Sequence, residues 1–263
     1  MISLVIPTLN EVENIPLLLA RIARCQPAPD QIIFVDDGST DGTRECIRSL
    51  AGSAPIQLLE RDAPSLGLAG AVIAGAHEAI GQWLVVMDAD LSHPPEKIAE
   101  LLRPLFEGKA DMVMGSRYVR GSSTPGWPIW RKMFSRAAAA LAYPLTGVHD
   151  SMGGFFAMPT RLLLESTPAA TGFKIAFEAI VHGGRNLRVM EIPIAFRDRA
   201  RGVSKMSLGV ALLFGCRWLA AMAKTPFQRQ ETAVAKLAPA RFALPSSTAN
   251  PAKSSKVASN AFP

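Results

Sequence analysis

Short apolar runs alternate with amphipathic stretches through the first half of the chain, and this alternation constrains the fold more than any other feature. We predict strands over residues 2–6, 31–35, 56–60, 83–87 and 112–115. The stretches between them have helical periodicity over residues 11–24, 43–51, 68–80 and 96–106. Strands that alternate with helices indicate βαβ units. We therefore expect an α/β fold with a mostly parallel central sheet and helices on both faces.

The second half of the chain has a less regular pattern. We predict a helix over residues 131–141 and strands near residues 155–158 and 189–196, all within one domain that covers residues 1–206. Residues 207–223 are almost wholly apolar but carry Arg217 near their middle. They fall short of the ~20 apolar residues that a spanning helix needs, so residues 207–224 suit a membrane-interfacial helix, with a buried core helix as the alternative. Residues 225–263 are rich in Ala, Pro, Ser and Lys, and we expect them to be disordered.

The charge and the cysteines narrow the class of partner and the compartment. A net charge of +6 favours anionic partners such as phosphates, nucleic acid or an acidic membrane surface. The spacing of Cys25, Cys46 and Cys216 is typical of neither a disulfide framework nor a zinc site. The first residues do not have the pattern of a signal peptide. We therefore expect the protein to reside in a reducing cytoplasm. The chain contains no Walker P-loop and no G-x-G-x-x-G, which argues against an ATPase or a dehydrogenase.

Polar clusters follow three of the predicted strands. Ligands of open α/β sheets bind at the carboxyl ends of the strands, so these clusters should converge. Asp88 and Asp90 follow the apolar run 83–87, and two such carboxylates can share a Mg²⁺ or Mn²⁺ ion with a diphosphate. A solvated turn is the alternative, because Asp is common in turns.

The remaining two clusters are residues 7–11 and 36–42. A carboxylate at the second can accept hydrogen bonds from a base or ribose, and the first can form a wall for the base. Alternatively, Asn10 is a helix N-cap after the first strand, and Ser39, Thr40 and Asp41 are good N-cap types after the second.

Basic residues form a further set of candidates. Arg117 follows the fifth strand, Arg131 opens the middle helix, and a Gly-containing loop over residues 197–205 includes Arg199 and Lys205. Arginine binds phosphate as a bidentate fork and lysine as a point charge. The loop could instead be an ordinary solvated face. His93 directly follows the acidic pair and is a candidate to line the same site.

These motifs occur together in an order that resembles the family-two glycosyltransferases of GT-A fold, in particular the polyprenyl-phosphate (dolichyl-phosphate) mannose synthases and their glucosyl relatives. The matching stretches are residues 6–11, 35–43, 86–95 and 115–118, Arg131-Lys132 with Ser135-Arg136, Asp150 with residues 153–155, residues 191–194, and residues 199–205. The resemblance runs from residue 1 to about residue 210. It implies that residues 1–206 form a GT-A nucleotide-diphospho-sugar transferase domain.

The resemblance also implies residue roles. The residues implied to bind the nucleotide sugar are Pro7, Leu9, Glu11, Val35, Asp37, Asp88, Ala89, Asp90, Arg117, Arg199 and Lys205. For Arg117, Arg199 and Lys205 the implied ligand is either the donor diphosphate or the acceptor phosphate. The implied metal site for Mg²⁺ or Mn²⁺ is Asp88, Asp90 and Ser92, and the implied catalytic set is Asp90, Arg117 and Arg131, with Arg131 facing an acceptor phosphate. Leu9 stands where many members carry Tyr, and Ser92 stands where some carry Gln. Arg201 adds a positive charge between Arg199 and Lys205 that is unusual among the family members.

The activity implied is inverting transfer of a hexose, mannose from GDP-mannose, to a polyprenyl monophosphate. The implied partners are therefore a nucleotide-sugar donor, a polyprenyl-phosphate acceptor and the cytoplasmic face of a membrane, with no nucleic acid. A transferase that uses UDP-glucose or UDP-N-acetylglucosamine, with a lipid or a different acceptor, fits the same fold.

Two further classes of protein are compatible with parts of the pattern. An Asp-x-Asp after an apolar strand also begins the haloacid-dehalogenase-type phosphatases, but these need a downstream acidic pair, and this chain has Asp36 and Asp37 upstream. A non-catalytic binding subunit would not require the acidic pair and the basic loop, and both are intact here. The residues therefore favour a transferase over either class.

Overall fold

The computed structural model describes residues 1–52, 55–62, 66–167, 174–198 and 233–234. The strands in these residues are β1 Ile2–Thr8, β2 Gln31–Asp36, β3 Ile56–Glu60, β4 Trp83–Val86, β5 Met112–Ser116, β6 Phe156–Pro159, β7 Val189–Pro193 and β8 Ala233–Val234. The helices are α1 Ile15–Ile22, α2 Thr43–Ala51, α3 Gly67–Glu78, α4 Ile98–Phe106, α5 Ile129–Thr146, α6 Thr160–Ser166 and α7 Ile175–Gly183.

The strands form one sheet in the order β3-β2-β1-β4-β6-β5-β7-β8. Every pairing in it is parallel except those of β6, which runs antiparallel to both β4 and β5. The predicted α/β fold with a mostly parallel sheet is therefore confirmed. The reversal of β6 brings the loop before Phe156 to the edge where β4 ends at Val86.

The sheet is covered on both faces, as expected from strands that are apolar at nearly every position. In β1, Leu4 and Ile6 point into a core that contains residues of α1 and α4, whereas Val5 points into a second core that contains residues of α3, α6 and α7. The two cores explain why the strands lack a polar face. Burial on both sides fixes the register, since a slip of one residue would exchange the two faces.

Several predicted boundaries differ from the observed ones. The first helix begins at Ile15 rather than at residue 11, because Asn10 has a φ of 55° and starts a loop, and Pro16 lies in the first helical turn. The interpretation of Asn10 as a helix N-cap is wrong: its side-chain oxygen accepts from the backbone N–H of Thr40. The middle helix is longer than predicted, 18 residues from Ile129 to Thr146.

Two predictions fall mostly outside the described residues. The interfacial helix at 207–224 lies outside them and remains a prediction. Of the predicted disordered tail, 225–263, only Ala233–Val234 is described, and it pairs in parallel with β7 as β8. Within the ranges given above, no helix combines the length and the apolar character that crossing a bilayer requires.

Candidate active site

The loops after β1 and β2 are joined by hydrogen bonds into one wall at the carboxyl edge of the sheet. The backbone N–H of Asn10 donates to Ser39 Oγ at 2.8 Å, and its side chain accepts from Thr40 at 2.9 Å. The N–H of Glu11 donates to Thr43 Oγ1 at 2.9 Å. The two polar clusters predicted to converge therefore do so.

The adjacent carboxylates Asp36 and Asp37 have different surroundings. Asp36 is fully buried and accepts from the backbone N–H groups of Gly38 and Ser39 at 3.1 and 3.0 Å. Burial acts to raise the pKa of Asp36, but hydrogen bonds from the Ser39 hydroxyl and backbone N–H and from the Arg44 guanidinium hold it below its usual value. Asp36 thus stabilises its own loop.

Asp37 keeps capacity to accept a hydrogen bond from a ligand. Its Oδ1 lies 3.2 Å from Arg61 Nη1, which is close enough for an ion pair but lacks hydrogen-bond geometry. Among the described residues, Asp37 Oδ1 is buried without a hydrogen-bond partner. Burial, opposed by Arg61 and reinforced by Asp36, raises the pKa of Asp37. This is the carboxylate predicted to bind the nucleotide.

The acidic turn, residues 88–92, follows β4. The backbone N–H of Asp88 donates to His93 Nδ1 at 3.0 Å, so that nitrogen carries a lone pair and a neutral ring has its proton on Nε2. His93 is buried and stacks on Phe155 with a centroid distance of 5.3 Å. His93 therefore holds the start of the acidic turn, and the Asp88 carboxylate stays 32% exposed.

The three predicted metal ligands lie within the acidic turn. Asp90 is buried, and its Oδ1 accepts from the N–H of Ser92 at 3.1 Å across Leu91, whose φ is 63°. The buried Ser92 Oγ has no hydrogen-bond partner in the described part of the chain. The same part holds no cluster of three or more His, Cys, Asp or Glu side chains that could bind a metal ion.

A small cavity opens beside Asp88. Its lining includes Pro7, Asp88, Gly154 and Lys174. A Cβ atom at Gly154 would lie 3.2 Å from Asp88 Oδ1 and 3.3 Å from His93 Cε1, so glycine lets the backbone pass close to the acidic turn. Lys174 donates to the carbonyl of Met152 at 3.2 Å. Burial and Arg117 lower the pKa of Lys174, against the opposing effect of Asp88 and Asp150.

Arg117 is anchored by a bidentate ion pair. Its Nε and Nη2 donate to Asp150 at 2.8 and 2.7 Å, and its backbone N–H donates to the same carboxylate at 2.8 Å. Asp150 is fully buried, and its own N–H donates to the buried Glu191 at 2.9 Å. Burial alone would lower the pKa of Arg117, but the charge of Asp150 raises it, so the guanidinium remains a fixed cation.

The Trp127 ring lies beside Arg117 and Arg131, two of the arginines predicted to bind phosphate. The guanidinium carbon of Arg131 lies 4.2 Å from the Trp127 ring centroid, and that of Arg117 lies 5.8 Å away. Arg131 also donates to Asp198 at 2.9 Å. Sequence reasoning missed Trp127 and Lys174, because neither falls in a polar cluster at a strand end.

The remaining predicted residues are distributed as follows. Pro7, Val35 and Ala89 are buried at or just beyond strand ends, whereas Leu9 and Glu11 are partly exposed in the first loop. Arg199 and Lys205, together with most of the predicted phosphate-gripping loop, lie outside the described residues. Their roles remain predictions.

The sheet order, the reversed β6 and the acidic turn define a nucleotide-sugar transferase of the GT-A fold. Residues 3–164 match Glycosyl transferase family 2, and the chain belongs to that family. This membership replaces the phosphatase hypothesis, since the acidic turn now belongs to a glycosyltransferase domain.

Two relatives and one solved structure are similar to most of this chain. The chain is 39% identical over 210 residues to the dolichol-phosphate mannosyltransferase of Pyrococcus furiosus, covering 78% of this chain and 59% of that relative. It is 37% identical over 217 residues to the polyprenol monophosphomannose synthase of Mycolicibacterium smegmatis, covering 77% and 80%. The glucosyl-3-phosphoglycerate synthase of Mycobacterium tuberculosis, crystallised with Mn²⁺, UDP and glucosyl-3-phosphoglycerate, shares the fold with a TM-score of 0.60 at 21% identity, covering 84% and 78%.

Proposed function

We propose that this glycosyltransferase moves mannose from GDP-mannose onto a polyprenyl monophosphate and gives a β-linked lipid-phosphate sugar. The observation that carries the proposal is the electrostatic layout of one sheet edge. Asp88 of the acidic turn lines one cavity together with Pro7 and Lys174, and Asp150 holds Arg117 in a bidentate ion pair. Relatives that match most of this chain are named for mannosyl transfer to dolichol and polyprenol phosphates.

The chemistry requires little from a general base. The attacking atom is an oxygen of the lipid phosphate, which is already anionic at neutral pH. That oxygen forms a bond to the anomeric carbon while the bond from this carbon to the diphosphate oxygen breaks, and the electron pair leaves with the diphosphate. A single in-line displacement inverts the anomeric carbon. The protein must therefore orient the reactants and stabilise negative charge on the leaving group.

The chain offers residues for each of these tasks. Asp37, with Pro7, Leu9, Glu11 and Val35 around it, holds the base and ribose. Asp88 and Asp90 are the residues that would hold a Mg²⁺ or Mn²⁺ ion, and the buried Ser92 hydroxyl would offer a further oxygen nearby. When bound, that ion supplies positive charge to the departing diphosphate.

The acceptor side is formed by basic residues. Arg117 is held rigidly by Asp150, and Arg131 is held by Trp127 and Asp198, so both guanidiniums are positioned before the lipid phosphate arrives. Arg199 and Lys205 belong to the same proposal as additional phosphate ligands. Ordered guanidiniums lose less freedom on binding than mobile ones do.

The membrane surface is part of this proposal. A polyprenyl acceptor lies in a bilayer, and the net charge of +6 favours an anionic surface. We therefore place the protein peripherally on the cytoplasmic face of a membrane. The exposed side chains of α5 include Ile129, Trp130, Met133 and Phe134, each at least 68% exposed, and they offer an apolar contact with lipid.

A transfer assay with several donors tests the proposed function. We expect GDP-mannose, rather than UDP-glucose or UDP-N-acetylglucosamine, to be consumed in the presence of a polyprenyl phosphate, with the lipid product identified by mass spectrometry. Excess EDTA and Asp90→Asn should each abolish transfer. Asp62→Asn is the matched control, because Asp62 is 85% exposed. Preferential use of a UDP-sugar, or full activity in EDTA, would contradict the assignment of donor or metal.

A further inference from the structure

We infer that Trp127 is a direct ligand of the acceptor phosphate, which it binds through its indole N–H. The inference rests on the proposed function, because that function supplies the phosphomonoester. Trp127 is only 7% exposed, and its Nε1 is buried without a hydrogen-bond partner among the described residues. Buried indole N–H groups usually have an acceptor. A buried indole N–H that lacks an acceptor among the described residues therefore indicates that a ligand supplies the acceptor.

The charges around the ring identify the kind of acceptor. The guanidinium carbon of Arg131 lies 4.2 Å from the ring centroid, and that of Arg117 lies 5.8 Å from it. A donor on a ring that has two guanidiniums within 5.8 Å of its centroid favours an anionic oxygen over a neutral carbonyl. The neighbouring carboxylates already have partners, since Asp150 is paired with Arg117 and Asp198 with Arg131. A phosphate oxygen from a substrate fits this position.

The local structure holds Trp127 rigidly. Gly126 has a φ of 82° and turns the chain before the tryptophan, and Pro128 follows it at the start of α5. Phe196 packs edge-to-face on the indole, with a centroid distance of 5.5 Å and an interplanar angle of 82°. The ring is therefore fixed between the two segments that carry Arg131 and Asp198. It has two tasks: its N–H binds the phosphate, and its face orients the Arg131 guanidinium by cation–π contact.

The two tasks can be separated by substitution. Trp127→Phe removes the N–H and keeps an aromatic face, whereas Trp127→Leu removes both. We expect Trp127→Phe to raise the KM for farnesyl phosphate about tenfold, as for loss of one hydrogen bond to a charged group, with the KM for GDP-mannose within about twofold. Trp127→Leu should raise the acceptor KM further. Trp83→Phe is the matched control, because it also removes an indole N–H but at the start of β4, the opposite end of that strand from the acidic turn.

Direct binding distinguishes a phosphate ligand from a structural residue. Calorimetric titration should show that Trp127→Phe weakens binding of farnesyl phosphate but leaves binding of farnesol, which lacks the phosphate, unchanged. Equal losses for both compounds, or no loss for either, would overturn the proposal. If the wild-type protein binds farnesyl phosphate but transfers no sugar to it, the proposed function fails while the Trp127 proposal is still tested by this binding.

A measurement on the wild-type chain covers the case in which Trp127→Phe does not fold. In protein labelled with ¹⁵N-tryptophan, farnesyl phosphate should shift the Trp127 indole N–H resonance downfield, and farnesol should not. The resonance is assigned by elimination with Trp83→Phe, Trp130→Phe and Trp218→Phe. An indole resonance that does not respond to farnesyl phosphate at saturation overturns the proposal.

Discussion

Asp36 and Asp37 show how two neighbouring carboxylates acquire different tasks. The backbone and Arg44 surround Asp36 with donors, which lower its pKa, whereas burial without sufficient hydrogen bonds raises the pKa of Asp37. The strand pattern placed both residues at the end of β2 and so predicted the position of the site. It could not assign the partners, because Arg44 and Arg61 reach the carboxylates only after α2 and β3 have packed.

The opposite pKa shifts predict opposite effects on stability. The raised pKa of Asp37 means that its ionised form costs stability above the folded-state pKa, and this cost disappears as pH falls below the ordinary value of 3.8. Asp37→Asn should therefore raise the melting temperature at pH 7, with a gain that shrinks toward pH 4, while weakening GDP binding at least about tenfold. Calorimetric melting and GDP titration measure these effects.

Asp36→Asn is the matched control for that prediction. The lowered pKa of Asp36 contributes stability that is present above 3.8 and is lost as pH falls through the folded-state pKa, so this substitution should lower the melting temperature at pH 7. If Asp37→Asn destabilises the protein as much as Asp36→Asn does, Asp37 is a structural residue like its neighbour.

The elements of the first half could be predicted because each has a strong period, whereas α5 and β6 depend on distant contacts. In α5, the apolar side chains at 129, 130, 133, 134 and 141 would ordinarily be assigned to a core, yet all are at least 58% exposed. The reversed direction of β6 could not be predicted from local pattern, since a strand of four residues has the same appearance in either direction.

The exposed face of α5 predicts a contribution to membrane binding. Trp130→Ser combined with Phe134→Ser removes two large apolar side chains that are 71% and 70% exposed, and should lower flotation with vesicles of phosphatidylglycerol and phosphatidylcholine. Leu17→Ser combined with Ile80→Ser is the control, because these side chains are 52% and 64% exposed and lie on α1 and in the loop between α3 and β4. Equal flotation of the two double variants would show that α5 is not a specific contact.

At the scale of the whole molecule, buried polar groups connect distant strands. Glu191 on β7 is fully buried and accepts from the backbone N–H groups of His149 and Asp150, both at 2.9 Å. Asp150 in turn holds Arg117 after β5. The sequence motifs contained Asp150 and Glu191, but their connection depends on the pairing of β5 with β7, which no local pattern encodes.

Glu191→Gln tests this connection. A glutamine amide would place N–H groups against backbone N–H donors, so we expect a loss of about 1–3 kcal/mol in the free energy of unfolding. Displacement of Asp150 should also raise the acceptor KM more than the donor KM, because Arg117 loses its fixed position. Urea unfolding and steady-state kinetics measure the two effects. Glu45→Gln, at a side chain that is 72% exposed, should change neither quantity.

The reversed strand β6 separates two halves of the sheet that could vary independently. The proposed residues for the base, the ribose and the metal lie at the ends of β1, β2 and β4. Arg117 follows β5, and its partner Asp150 lies in the loop before β6, where Glu191 of β7 holds it. Within the described sheet, only β6 pairs with both β4 and β5. Such an arrangement would let members of a family change the donor sugar while they keep the acceptor, or change the acceptor while they keep the donor sugar.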